Sequence, residues 1–238
     1  MVGIVIQGPT NYCKKICEHY SNLIADNCKI VWSTWDGEDQ NNIDYITNFG
    51  IYVIQSPEPK ISGWLNINYQ LKSTYEGIKF IKQLGADTII KVRGDIRWEG
   101  IEKCFDYFSN KKISFLGLNN GGSVGKSYFL DYTHNHFDFT VDHVIAGSIK
   151  HMEKTFNFQV DSEGLEIPPE SLILHSYLKE FSTNTSFEPS NLKKSGVDLF
   201  WEHSNNEKNK IVWLKLNCDL ITYITNNKGL IPPHHTKI

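Results

Sequence analysis

Three charged side chains stand at alternate positions where an apolar run ends: Lys91, Arg93 and Asp95, in DTIIKVRGDIRWEG. On an extended backbone alternate residues share a side, so these three point one way while Ile90, Val92 and Ile96 lie nearer the other. A carboxylate so placed can hold a hard divalent cation, Mg2+ or Mn2+. Arg93 and Lys91 can meet a diphosphate, arginine through its planar fork and lysine as a point charge. Gly94 between them allows a ligand to approach the backbone. The competing reading is a local ion pair of Asp95 with Arg93 or Arg97, which at a surface is worth little. A charged side at the end of a strand otherwise built for burial favours a site.

A second group lies upstream. Asn66, Gln70 and Ser73 fall at i, i+4 and i+7 in a segment whose periodicity predicts a helix over about 65–84, with Leu71, Tyr75 and Ile78 on the neighbouring apolar face. Solvent faces usually carry Lys and Glu. Uncharged hydrogen-bonding groups suit a polar ligand such as a sugar or ribose, and the alternative is a stripe that simply faces water.

The elements that must position these residues alternate along the first half. VGIVIQ reads as a strand, and Thr10 is placed to cap a helix with Tyr12, Ile16, Tyr20 and Leu23 at helical spacing. KIVWST is a second strand, a short polar helix covers about 42–48, GIYVIQ is a third strand, DTIIKV a fourth and KISFLGL a fifth. Strands separated by helices imply βαβ units and a parallel sheet. The second half is less regular: strand and helix over 138–158, a helix in PPESLILHSYLKEF and a late strand in KIVWLKL. No linker splits the chain and no segment repeats. Ligands of such sheets bind at the carboxyl ends of the strands. Those ends are Gln7-Gly8-Pro9-Thr10, Ser33-Thr34-Trp35-Asp36-Gly37 and Arg93-Gly94-Asp95. Three polar, glycine-containing tips point to one shared crevice.

Other features set bounds. A net charge of −3 gives no footprint for nucleic acid. The N-terminal apolar run has no basic region before it, so it does not read as a signal peptide, and no stretch approaches the ~20 apolar residues of a membrane helix. A cytoplasmic protein is expected, with room for peripheral contact with a membrane surface. Five cysteines without a CxxC pair read as reduced buried thiols. Gly125-Lys126-Ser127 ends like a phosphate-binding P-loop, but position 120 is Asn, not Gly, and YFLDY after it reads as a strand. A mobile glycine-rich loop beside a site fits that stretch better.

Taken in order, IVIQGPT, IVWSTWDG, QSPEP, NINYQLKSTYEGI and IIKVRGD are similar to words of the WavE-type lipopolysaccharide synthesis family, and FTVDHVIAGSIKHMEKTF and IPPESLILHSYL continue the match over most of residues 2 to 181. The resemblance implies a glycosyltransferase with the nucleotide-sugar-binding GT-A fold. The fold expected is therefore α/β: a single GT-A-like, Rossmann-like domain over residues 1–238 with a mostly parallel central sheet flanked by helices. Residues 1–118 would form the nucleotide-sugar-binding half and 119–238 the acceptor side.

The resemblance also implies roles. Asp36 would contact the base or ribose of the donor, and Asn66 and Gln70 would lie beside that donor. Asp95 takes the place of the metal-binding aspartate of a DxD-like motif, with Mn2+ or Mg2+ as the cation. Arg93 replaces the first acid of that motif, so it would meet the diphosphate itself. Asp142, Gly147 and Glu170 match the later, acceptor-side words; apart from the resemblance, the strand-end reading adds Gln7, Gly8, Pro9 and Lys91 to the nucleotide-sugar side. Glycosyl transfer needs a general base for the acceptor hydroxyl, and Glu170 and Asp142 are the candidates. Glu170 also reads as an acid that the dipole favours at a helix start. The partners implied are a nucleotide-diphosphate sugar and a glycan acceptor, in lipopolysaccharide, another surface polysaccharide or a glycoprotein. Two rival readings stand beside this one. A nucleotidyltransferase would want a glycine-rich loop after the first strand, which QGPT supplies poorly. A non-catalytic carbohydrate-binding protein on a degenerate transferase fold is kept open by the missing first acid.

Overall fold

The structure is a computed structural model that describes residues 1–98, 101–105, 113–118, 139–161, 169, 172–173, 176, 180, 212–215 and 221–223. Its main sheet has seven strands: β1 (Val2–Gln7), β2 (Lys29–Trp35), β3 (Tyr52–Ser56), β4 (Thr88–Arg93), β6 (Ile113–Leu118), β7 (Phe139–Ser148) and β8 (Val212–Lys215). They stand in the order β3-β2-β1-β4-β7-β6-β8. β1, β2, β3 and β4 pair in parallel, and β7 runs antiparallel to both β4 and β6. The expected mostly parallel α/β sheet is therefore present, with β7 as the one reversed strand. The short β5 (Ile96–Trp98) and β9 (Ile221–Tyr223) form a separate antiparallel pair. Neither run is long enough to stand out in the sequence pattern.

The described helices are α1 (Cys13–Ser21), α2 (Gln40–Asn48), α3 (Ile67–Gln83) and α4 (Ile149–Phe156). Residues 169, 172, 173, 176 and 180 are helical too, within the segment expected to be a helix. Asp39 caps α2, its side chain accepting from Asn41 N–H at 2.9 Å, as short polar residues do at helix starts. Thr10 does not cap α1 as expected. It opens a 3-10 turn over Thr10–Tyr12, and α1 starts only at Cys13. The Thr10 hydroxyl is turned instead to a carboxylate of another loop.

Strand alternation divides the core. Ile4, Ile6, Ile30, Trp32, Ile90 and Val92 meet Ile16, Cys17 and Tyr20 of α1 on one face. Val5, Val31, Ile89 and Ile145 meet Leu71, Ile78 and Ile81 of α3 and Met152 of α4 on the other. Cys13, Cys17 and Cys28 are buried, as expected, and no disulfide links them. Burial pushes the Cys17 thiol up to about 12, with the neighbouring Cys13 adding to it. Among the described residues no helix is long and apolar enough to cross a membrane.

Candidate functional site

Two contacts fix how α3 lies on the sheet. A Cβ on Gly3 would be 2.7 Å from Ile81 Cδ1, and a Cβ on Gly77 would overlap Val5 Cγ1 and lie 3.2 Å from Ser33 Cβ. Four residues of helix, about 6 Å, thus match two residues of strand, about 6.6 Å. α3 runs antiparallel to β1, so its first turns, carrying Gln70, Ser73 and Thr74, stand over Gln7 at the carboxyl end of the strand. Ser33, in register with Gln7 on β2, anchors this arrangement. Its hydroxyl donates to the Ser73 carbonyl at 2.6 Å.

Register completes that edge. Gln7 pairs with Arg93 and Val5 with Lys91, so Gln7, Ser33, Lys91 and Arg93 share the face that α3 covers. The expected stripe on α3 does turn toward this polar strip, but its members differ. Ser73 is fully buried and donates to Tyr69 O at 2.7 Å. Gln70 is half-buried, and its Oε1 is a buried oxygen with no hydrogen-bond partner. Thr74, fully buried one turn on, leaves its hydroxyl in the same condition. Asn66 precedes the helix in a left-handed conformation with φ 60° and is exposed at its start.

The β1 tip is held from three sides. Gly8 N–H donates to Ser33 O at 3.1 Å, Gly94 N–H donates to Gln7 O at 2.7 Å, and the Trp32 indole donates to Gly8 O at 2.9 Å. Gly94 was expected to let a ligand approach the backbone, but the protein itself fills that space. A Cβ there would lie 3.1 Å from Trp32 Cζ2 and 3.3 Å from the carbonyl oxygens of Gln7 and Pro9. Pro9 is exposed, and so is Asp36 at the β2 tip, its N–H donating to Ser56 O at 3.0 Å.

Arg93 and Asp95 are joined to each other. Arg93 Nε donates to Asp95 Oδ1 at 2.9 Å and Nη2 to Oδ2 at 2.6 Å, a two-pronged pairing that fixes the guanidinium plane. The pair is 32% and 26% exposed, so it is reached by water. Lys91 is fully buried. Of these two cations only Arg93 is accessible to a ligand from outside. Both oxygens of Asp95 are already acceptors, and no group of three His, Cys, Asp or Glu able to hold a metal occurs among the described residues. The described residues thus form no cation site of protein groups alone at Asp95, and no chemical step is routed through a cation.

Glu38 was missed by the sequence reading. Its Oε2 accepts from Thr10 N–H at 3.0 Å and from the Thr10 hydroxyl, and its Oε1 accepts from Thr34 Oγ1 at 2.9 Å. Nothing in the local spacing announces this, because its partners lie on two different strand tips. Thr74 was not singled out, although its helical spacing from Gln70 was open to inspection, and Ser33 was named only as part of the β2 tip, because its pairing with Gln7 depends on the folded sheet. Asp142 lies on β7, two residues before Val144, which pairs with Val92. Its backbone is thus carried at the same edge as Arg93 and Asp95. Glu170 and the glycine-rich loop over 119–127 lie outside the described residues.

No family model and no curated protein matches the sequence, so the WavE-type resemblance is not shown by those routes. Solved structures do match in fold. One, assigned as a glucose-1-phosphate thymidylyltransferase from Bacillus anthracis in complex with sucrose, has TM-score 0.50 and 13% identity, covering 76% of this chain and 84% of its own. Another, 4-diphosphocytidyl-2C-methyl-D-erythritol synthase from Anaerococcus prevotii, has TM-score 0.50 and 10% identity, covering 94% of this chain and 92% of its own. The protein has the α/β fold of these nucleotidyltransferases.

Proposed function

We propose that the protein is a transferase acting on a nucleotide-linked sugar, bound at the carboxyl edge of β2, β1 and β4 beneath the start of α3. The observation that carries this reading is the convergence of Gln7, Gln70, Asp36, Arg93 and Asp95 from four separate elements onto one edge. Asp36 at the open end takes the ribose or base. Gln70 and Asn66 reach hydroxyls, and Arg93, aimed by Asp95, neutralises charge on the phosphates. Asp142 and Glu170 are the candidate bases.

Two transfers fit such a site. In nucleotidyl transfer a sugar phosphate oxygen attacks the α-phosphorus of a nucleoside triphosphate and pyrophosphate leaves. The chemistry named for both fold neighbours supports this one. In glycosyl transfer an acceptor oxygen attacks the anomeric carbon and a nucleoside diphosphate leaves. The short β1 tip supports that one, because it turns at once into a 3-10 segment and offers no glycine-rich phosphate loop. The WavE-like words favour it too, and with it a cytoplasmic enzyme of lipopolysaccharide or related glycan synthesis.

Phosphorus NMR separates them. The protein is incubated with nucleoside triphosphates plus sugar 1-phosphates, and separately with nucleotide-diphosphate sugars, each with Mg2+, Mn2+ or EDTA. Pyrophosphate release identifies nucleotidyl transfer, and nucleoside diphosphate release identifies glycosyl transfer. Absence of both, together with no calorimetric binding of UDP, GDP or dTDP, overturns the proposal.

A further inference from the structure

In doubly wound α/β proteins the turn after the first strand commonly receives a phosphate, because the first backbone N–H groups of the next helix point there. Here an anion already sits at that turn, and it belongs to the chain. Glu38 Oε2 accepts from Thr10 N–H at 3.0 Å and from the Thr10 hydroxyl. Asn42 Nδ2 donates to Thr10 Oγ1 at 3.2 Å. That contact occupies the oxygen and directs the hydroxyl proton to Glu38. The other carboxylate oxygen takes the Thr34 hydroxyl at 2.9 Å. Thr10 and Thr34 are both fully buried, which makes this a built seat rather than a surface contact.

We propose that Glu38 is a positioning residue that serves as an internal anion. It occupies the phosphate position of the β1–α1 turn, fixes the Gln7–Thr10 tip against β2, and leaves substrate phosphate to the Arg93 side of the crevice. The substrate side of this statement rests on the proposed function, whereas the seat itself does not. The chemistry is mutual exclusion. A carboxylate holding the Thr10 N–H and hydroxyl repels a second anion and removes the donors it would need.

The test is amide NMR of the full chain, following Thr10 and Gly94 during titration with inorganic pyrophosphate and then with UDP. In wild type the Thr10 amide is expected to stay in place with both, while Gly94, beside Arg93, moves with UDP. In Glu38→Ala the Thr10 amide is expected to move saturably with pyrophosphate, at an affinity about tenfold or more above wild type, because an empty seat has been opened. Glu38→Gln guards against a variant that fails to fold. Its amide oxygen can still accept from Thr10 and its amide nitrogen can donate to Thr34, so it keeps the brace and loses the charge. It is expected to melt close to wild type and to bind pyrophosphate more weakly than Glu38→Ala. Movement of the wild-type Thr10 amide on saturation with either probe overturns the proposal, as does Thr10 silence in a folded Glu38→Ala. If UDP moves no amide at all, the proposed function fails while the pyrophosphate comparison still decides the role of Glu38.

Discussion

At the scale of single residues, the charged strand tip turns out to be self-paired. Arg93 and Asp95 grip each other through two contacts, so under the proposed function Asp95 would act on a ligand mainly by aiming the guanidinium. Nucleotide affinity is expected to fall about tenfold in Arg93→Ala, the worth of roughly one charge-assisted hydrogen bond. A smaller loss is expected in Asp95→Ala, with binding persisting in EDTA, as calorimetry on the three proteins would check. Loss of all wild-type binding in EDTA would return Asp95 to a metal. Cys17 gives a pH dependence. Its thiol is raised from an ordinary 9.0 to about 12 by burial. A group that holds its proton more tightly when folded contributes stability that is complete below the unfolded value. That contribution fades as pH climbs from about 9 toward 12. Urea unfolding above about pH 9 should therefore show falling stability, and Cys17→Ala, though less stable overall, should show a shallower alkaline decline.

At the scale of elements, the seat of α3 decides the site. Gly77 sits where α3 touches Val5 and Ser33. A methyl group there must lift the helix, because Val5 is fully buried in the central strand. Gly77→Ala is expected to cost about 1–3 kcal/mol, as overpacking does, and to weaken ligand binding by moving Gln70 off the edge of β1. Thermal melts and calorimetry check the two effects, and an unchanged melting temperature would show that the contact relaxes freely. The other end of the α3 start is secured by Asn68, a side chain that behaves like backbone. Its Nδ2 donates to Val160 O at 2.8 Å and to Ile61 O at 3.0 Å, and its Oδ1 accepts from Val160 N–H at 2.8 Å. Asn68→Ala leaves buried peptide groups unpaired and should cost about 1–3 kcal/mol. Faster hydrogen exchange at Val160 would confirm the cause.

At the scale of the whole molecule, the two expected halves share one sheet. β7, from the second half, lies between β4 and β6 of the first. Its Ile145 pairs with both Lys91 and Phe115. A fragment of residues 1–118 would leave the β4 edge bare and β6 without its neighbour. Such a fragment is expected to give the poorly dispersed amide spectrum of an unfolded chain, and a folded spectrum would show that the first half is autonomous. The same interleaving carries the Asp142 backbone to the edge where Arg93 and Asp95 stand.

Local pattern determined much of this protein. The bounds of β1, the presence of β2 and β4 to within a residue at each end, the helices at α2 and α3, the late strand β8 and the three polar tips follow from alternation, helical spacing and turn residues, which depend on near neighbours in the chain. Only tertiary structure decided three further matters. The reversed direction of β7 depends on which strand it meets, and nothing in FTVDHVIAGS encodes direction. Arg93 turned to Asp95 rather than outward because two residues of opposite charge on one side of a strand end find each other before any ligand does. Glu38 became part of the site because its donors, Thr10 and Thr34, come from two tips that only the folded sheet brings together.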